Sequence, residues 1–292
     1  MSKINSTKKY FLATLFVFVC VIQSAIADGA SDAQIIKNAH WDIHKISRGI
    51  VLKQALFPNL FGTKQSVNVL EVNLKRKKIQ ISIAADPQKR IKTSTFAKEK
   101  NAIAALNGTF FDVKNGGSVM LIKQDGNIIN VSREHSERSN GAFTIDGNQV
   151  NIVASHSDKA DWADNLKAPN VMVSGPVLLM DGKAVELSKA SFNTLSHPRS
   201  AVAITGDNKL LLVAVDGRSE NGKGMSLFSL TTLLQTLGAR DAMNLDGGGS
   251  TTLYVKGQTE NGVVNYPSDN KKFDHEGERT VANAILVSVK GS

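Results

Sequence analysis

The chain has one cysteine, Cys20, and it lies inside an apolar run near the start. Lys3, Lys8 and Lys9 precede that run, Tyr10 to Ile22 carry no charge, and Ser24-Ala25-Ile26-Ala27 follow with small residues. A positive head, a short apolar stretch and small residues at the cut make a secretory signal peptide over 1–27, with removal expected after Ala27. Bulky Phe18 and Val19 ahead of Cys20 argue against lipid attachment there. The remaining 28–292 hold no cysteine. That excludes disulfides and a thiol nucleophile. An exported chain without disulfides fits a periplasmic or secreted bacterial protein better than a eukaryotic secreted domain.

Aromatic residues are scarce, at 6%. With no dense basic stripe interleaved with aromatics, nucleic acid is not an expected partner. No later apolar run approaches the roughly 20 residues that cross a bilayer, so no membrane span is expected once the leader is gone. No linker rich in proline, glycine and serine divides the chain, which favours one α+β domain over 28–292. Nor is there a dense cluster of histidines and carboxylates, so no metal or cofactor is expected. His40 and His44 share a face if helical, but Ile43, Ile46, Ile50 and Val51 suit a strand equally, and no third ligand is apparent. Nothing in the sequence sets the oligomeric state.

What is abundant is positive charge. The leader takes three of the 35 basic residues and none of the 26 acidic ones, leaving net +6 on the mature chain. A basic exported protein attracts phosphates, acidic glycans and other anionic polymers. About 265 residues bury some 70–75% of their extended-chain surface, enough for one large domain.

Sheet dominates the pattern. Val67 to Leu74 and Ile79 to Ile83 alternate apolar and polar and read as a hairpin around the basic turn Lys75–Lys78. Asp125-Gly126, Asp146-Gly147 and Asp181-Gly182 each sit between apolar runs, as does Gly206-Asp207-Asn208, which predicts four more hairpins. Ala102 to Leu106, Asp241 to Leu245, Leu253 to Val255 and Val281 to Val289 read as further strands. Thr93 to Lys100 predicts a short helix capped by Thr93 or Ser94. Leu227, Leu230, Leu233, Leu234 and Leu237 recur at helical spacing, with Ser226 or Ser229 at the start and Gly238 where a C-terminal cap belongs. Asn261 to Glu278 is a polar, turn-rich excursion. The expected architecture is a mainly antiparallel or mixed sheet with hairpins and a few helices.

One stretch resists explanation as ordinary core. Asn244 to Leu253, NLDGGGSTTL, puts three glycines in a row after a buried strand. Consecutive glycines are costly to order, and make sense where the backbone turns at positive φ or where something approaches it closely. Asp246, the Gly247–Gly249 amides and the hydroxyls of Ser250, Thr251 and Thr252 suit an anionic, oxygen-rich ligand. A tight hairpin with Asp246 capping its own turn explains the same letters. Other polar signals fall at strand ends: Asn107 with Asp112, Ser174-Gly175-Pro176, His197-Pro198-Arg199-Ser200, Asp216-Gly217-Arg218, and Arg279. Strand-end loops are where sites are usually built. Singly, each also reads as a turn, a bend or a surface ion pair.

In chain order, NGTFFD, SGP, HPRSAVAIT, DGR, the leucine-rich helix ending in Leu-Gly, and NLDGGGS resemble the phosphodiester glycosidase family, from about Ala102 to Val289. The resemblance implies hydrolysis of a sugar joined through its anomeric carbon to a phosphodiester. The residue types suit that chemistry. Guanidinium groups match phosphate by paired hydrogen bonds, and Arg199, Arg218 and Arg279 are the candidates. Glycosidic cleavage uses carboxylates as acid, base or nucleophile, here Asp246 first, Asp216 second and Asp112 third. Gly247, Gly248, Gly249 and Ser250 suit phosphate or sugar oxygens, Asn107 and Asn244 suit sugar hydroxyls, and Ser174 and Gly175 complete the lining. Two other readings stay open. One is a binding module for anionic envelope glycopolymers. The other is a metal-dependent phosphodiesterase with Asp112, Asp216 and Asp246 around a divalent ion.

Overall fold

Alternating side chains turn one face of each strand inward, and the computed structural model, which describes residues 32–291, shows where those faces meet. Residues 1–27, expected to form a signal peptide, lie outside the described part. Residues 32–37 are helical, and from His40 onward the chain forms one unit. Among the described residues no helix is long and apolar enough to cross a membrane.

The fold is α+β, and every strand pair is antiparallel. The largest sheet runs, edge to edge, Asp42–Ser47, Ile50–Leu60, Thr63–Asn73, Lys209–Val215, Arg199–Thr205, Ala239–Asn244, Val177–Met180, Lys183–Ala184. A five-stranded sheet runs Gln149–Ala154, Gly141–Asp146, Asn170–Ser174, Ile122–Gln124, Asn127–Asn130. A four-stranded sheet runs Leu253–Val255, Ala104–Asn107, Asn283–Val289, Ile79–Ala85. One apolar core joins all three, with Leu70, Val202 and Leu212 from the first, Phe143 and Ile145 from the second, and Leu106, Leu253 and Ile285 from the third.

The four hairpins expected at the Asp-Gly and Gly-Asp-Asn turns are present. The fifth is not. Thr63–Asn73 pairs with Ile50–Leu60 and Lys209–Val215, whereas Ile79–Ala85 pairs with Asn283–Val289 in another sheet. The basic turn is a crossover, because both strands point apolar faces into the common core from different sides. The true partner of Thr63–Asn73 precedes it, across Phe61-Gly62, both at positive φ. His40 and His44 do not share a helix face, since Asp42–Ser47 is a strand. His40 precedes that strand while His44 lies inside it, and His44 pairs with Asp42 at 3.0 Å.

The leucine helix spans Leu227–Thr236, and Ser226 caps it by accepting Ser229 N–H at 3.1 Å. Gly238 follows at φ 86°, donating its N–H to Gln235 O. The earlier helix, Thr93–Glu99, has no side-chain cap from Lys92, the residue before it. Glu278 supplies the acceptor from far along the chain, taking Ser94 N–H at 2.7 Å and Ser94 Oγ–H at 2.6 Å. A carboxylate at a helix start offsets the unpaired amides and the dipole there.

Candidate functional site

Three strands, one from each sheet, end on the residues that the sequence marked. Ala104–Asn107 ends at Asn107, Asn170–Ser174 at Ser174, and Ala239–Asn244 at Asn244. Their side chains tie the ends together. Asn107 Nδ2 donates to Asp246 O at 2.6 Å, and Asn244 Nδ2 donates to Gly175 O at 2.9 Å. Asp246 N–H reaches Gly108 O at 3.0 Å. Asn107 Oδ1 in turn accepts Ser200 Oγ–H and Thr252 N–H. Asp246 is thus held on both sides of its peptide by the NGT segment, at the junction of the three sheets.

The triple-glycine segment is not a hairpin turn. The strands on either side belong to different sheets, and Gly248–Ser250 form a single 3-10 turn between them. Each glycine makes room for something. A Cβ on Gly247 would lie 2.6 Å from Pro198 O. Gly248 has φ 61°, and a Cβ there would sit 3.0 Å from Arg218 Nη2. A Cβ on Gly249 would collide with Asp269 and Arg279. Two guanidinium groups that are 61 residues apart therefore pack on adjacent glycines, next to Asp246. Arg279 holds Asp269 in a two-pronged pair, Nε to Oδ2 at 2.7 Å and Nη2 to Oδ1 at 2.6 Å.

Burial pushes the Asp246 carboxyl up to about 6, against the opposing pull of Ser250, Arg279, the Gly247 N–H and Arg138. The residue as a whole is only half-buried, and the solvent that reaches it moderates the rise. Ser250 Oγ lies near this carboxyl without a well-aligned hydrogen bond. Ser174 Oγ and Asn244 Oδ1 are likewise buried without a partner among the described residues. Buried polar atoms of this kind mark where water or a ligand belongs.

Arg138 was not among the residues singled out from sequence. It sits in the turn Glu137–Ser139, with its guanidinium 4.1 Å from the Phe192 ring centre and 5.9 Å from that of Phe110. Gly175 is what lets this turn approach: a Cβ there would stand 2.5 Å from Glu137 O and 3.0 Å from Arg138 C. Glu137 anchors the turn through Ser188 and Asn193, close to Phe192. His197, marked as part of the His197–Ser200 signal but given no role, is held below the usual histidine range by burial and by the charges of Arg199 and Arg218.

The remaining marked residues sit otherwise. Arg199 is 2% exposed, and its guanidinium donates to the carbonyls of Met225, Phe192 and Leu195 at 2.7–2.9 Å. Burial, then Arg138, lower it to about 10. Asp216 is buried and accepts four hydrogen bonds, from Ser66 Oγ, Asn68 Nδ2, Asn265 Nδ2 and Tyr266 N. Burial raises its carboxyl, and those four donors oppose the rise. Asp112 folds back on its own loop, accepting from Lys114 N, Asn115 N and Asn115 Nδ2. The three aspartates do not converge: among the described residues no three His, Cys, Asp or Glu side chains form a group able to hold a metal ion.

A model of the phosphodiester glycosidase family matches residues 100–288, well over half of the chain. N-acetylglucosamine-1-phosphodiester α-N-acetylglucosaminidase of Mus musculus is 27% identical over 178 residues, which is 56% of this chain and 33% of that protein. The SPbeta prophage-derived protein YomE of Bacillus subtilis (strain 168) is 27% identical over 136 residues, 40% of this chain and 21% of that protein. The chain thus spans a third or less of the length of these relatives. The solved catalytic domain of the zebrafish N-acetylglucosamine-1-phosphodiester α-N-acetylglucosaminidase superposes with a TM-score of 0.65 at 22% identity. The match covers 86% of this chain and 88% of that one.

Proposed function

The chain belongs to the phosphodiester glycosidase family, and from that premise we propose that it hydrolyses a sugar-1-phosphodiester. The observation that carries this is the packing of Arg218 and Arg279 on Gly248 and Gly249, beside a half-buried carboxyl raised to about 6. Two guanidinium groups suit the single negative charge of a phosphodiester and the second charge that grows on it as it leaves. Asp246 is mostly ionised at neutral pH and serves the anomeric carbon as nucleophile or as base toward water. The C–O bond to phosphate breaks, water supplies the new hydroxyl, and the products are a free sugar and a phosphate monoester. Phosphate leaves readily as an anion, so one carboxylate suffices for the departure. Arg138 adds positive charge at the rim, and Asn107 positions Asp246 rather than touching sugar. Asp216 and Arg199 hold the fold from the interior, and Asp112 takes no part in the chemistry.

The leader-like start and the net positive charge support an exported, periplasmic or secreted enzyme that acts on an envelope glycan or glycoconjugate. The test is turnover of a sugar-1-phosphodiester in heavy-oxygen water. Label in the sugar is expected; label in the phosphate would move the attack to phosphorus. Asp246→Asn is expected to abolish turnover with the fold intact. Undiminished turnover would remove Asp246 from the reaction, and tight binding without any product would leave a glycan-binding module.

A further inference from the structure

A groove of about 530 Å³ lies between the 112–120 loop and the 130–136 segment, and the chemistry above does not use it. Both its walls are backed by the candidate centre. Ser118, in one wall, accepts from Asn283 Nδ2 at 2.7 Å, while Asn283 Oδ1 holds Thr109 N–H, next to the Gly108 carbonyl that holds Asp246. Ser136, in the other wall, accepts Arg138 N–H and so caps the turn that presents Arg138 to the centre.

The lining is polar and carries a free cation. Arg133 is exposed and has no ion-pair partner among the described residues. Asn115 and Asn130 spend their amide N–H groups on Asp112 and on the Met120 and Val131 carbonyls. Their carbonyl oxygens remain as acceptors for hydroxyl groups. Of the two acids in the lining, Asp112 is turned onto its own loop by three donors, and Glu134 is exposed. The loop is clamped in place: Gly117 lies so near the backbone of Pro87 that a Cβ would be 2.5 Å from Pro87 O. At Asn115 and Gly116 the groove meets a second one, of about 370 Å³, that carries Lys89, Arg90 and Lys114.

A lone sugar phosphodiester needs one phosphate site, which Arg218 and Arg279 supply. A run of cations with amide acceptors between them, reaching Thr280, the neighbour of Arg279 in sequence, matches a ligand in which phosphates and hydroxyls repeat. We infer that the paired grooves form a secondary subsite for the phosphate-linked glycan continuing from the scissile bond, so that the enzyme works on oligomers of sugar phosphodiester in preference to single ones. This rests on the hydrolase reading above.

Two probes test it: methyl N-acetylglucosaminyl phosphate and a fluorescent four-unit oligomer of the same phosphodiester-linked sugar. The wild type is expected to show kcat/KM at least about tenfold higher on the oligomer, with the advantage shrinking as salt is raised. In the double variant Arg133→Ala, Lys114→Ala that advantage should vanish while turnover of the single unit stays within about twofold. Equal losses on both probes, or no preference in the wild type, would overturn the subsite. Should the wild type turn over neither probe, the hydrolase reading fails, and the grooves are judged by fluorescence anisotropy of the oligomer. There, binding weakened about tenfold in the double variant upholds the subsite. Unchanged or unsaturable binding ends it.

Discussion

Replacing Asp246 by asparagine should make this protein inactive and, at neutral pH, more stable. The ordinary carboxyl value of 3.8 is raised to about 6 in the folded chain, chiefly by burial. The folded state therefore binds a proton that the unfolded state has lost between those two values. Stability falls as pH rises through that window, and the cost is complete above about 6. At about 1.4 kcal/mol per pH unit the full cost is about 3 kcal/mol. Asp246 is half-buried, not sealed, and solvent screening brings the figure to about 1–2 kcal/mol. Asparagine has the same shape and no charge. It keeps the hydrogen bonds of its backbone, the N–H donated to Gly108 O and the carbonyl that accepts from Asn107 Nδ2. For a chain of this size the gain corresponds to a melting temperature higher by about 2–6 °C at pH 7.5. At pH 3.5 the wild-type carboxyl is protonated when folded and largely so when unfolded, and the two proteins should melt within about 1 °C of each other. Thermal melts followed by circular dichroism at both pH values read this directly. A variant no more stable than wild type at pH 7.5, or a gap that persists at pH 3.5, would refute the claim that an unfavourably ionised carboxylate sits here.

Arg279→Ala removes a charge that favours ionised Asp246. The acid limb of the kcat/KM profile should move upward from about 6 by about half a pH unit or more, with kcat/KM down about a hundredfold; an unmoved limb would separate Arg279 from Asp246. Gly249→Ala drives a methyl group into the Arg279–Asp269 pair, so turnover should drop by about tenfold or more with circular dichroism unchanged. Asp216→Asn should cost stability in place of chemistry. With two donors facing each carboxylate oxygen, an amide NH2 meets donors whichever way it is turned, and the urea midpoint should fall by the equivalent of about 3 kcal/mol.

Where local chemistry decides, the chain could be read ahead of its structure. Asp-Gly between apolar runs specified three hairpins, and leucine spacing with Ser226 and Gly238 specified a helix to within a residue. Alternation, by contrast, tells a strand which face is buried and leaves its partner unspecified. That is why Lys75–Lys78 read as a hairpin turn when it is a crossover between sheets, and why the pairing across Phe61-Gly62, which lacks the Asp-Gly letters, went unread.

The site shows the same division more sharply. Three of its glycines are one half of a contact whose other half is remote in sequence. Gly175 admits the turn that carries Arg138, Gly248 lies under Arg218, and Gly249 lies under Arg279 with Asp269. A glycine run announces close approach without naming what approaches, so Arg138 and Asp269 left no trace in the letters. Asn107 and Asn244 looked like ligands for sugar because they are polar residues at strand ends. Their amides are spent on the backbone of Asp246 and Gly175, which ties the strand ends around Asp246 together. Of the three arginines, two rest on glycines beside Asp246, Arg218 on Gly248 and Arg279 on Gly249, and of these Arg279 acts on the Asp246 carboxyl. Arg199 shares their charge but donates to three carbonyls, so the glycine underneath, more than the charge itself, separates the guanidinium groups beside Asp246 from the one that holds the fold.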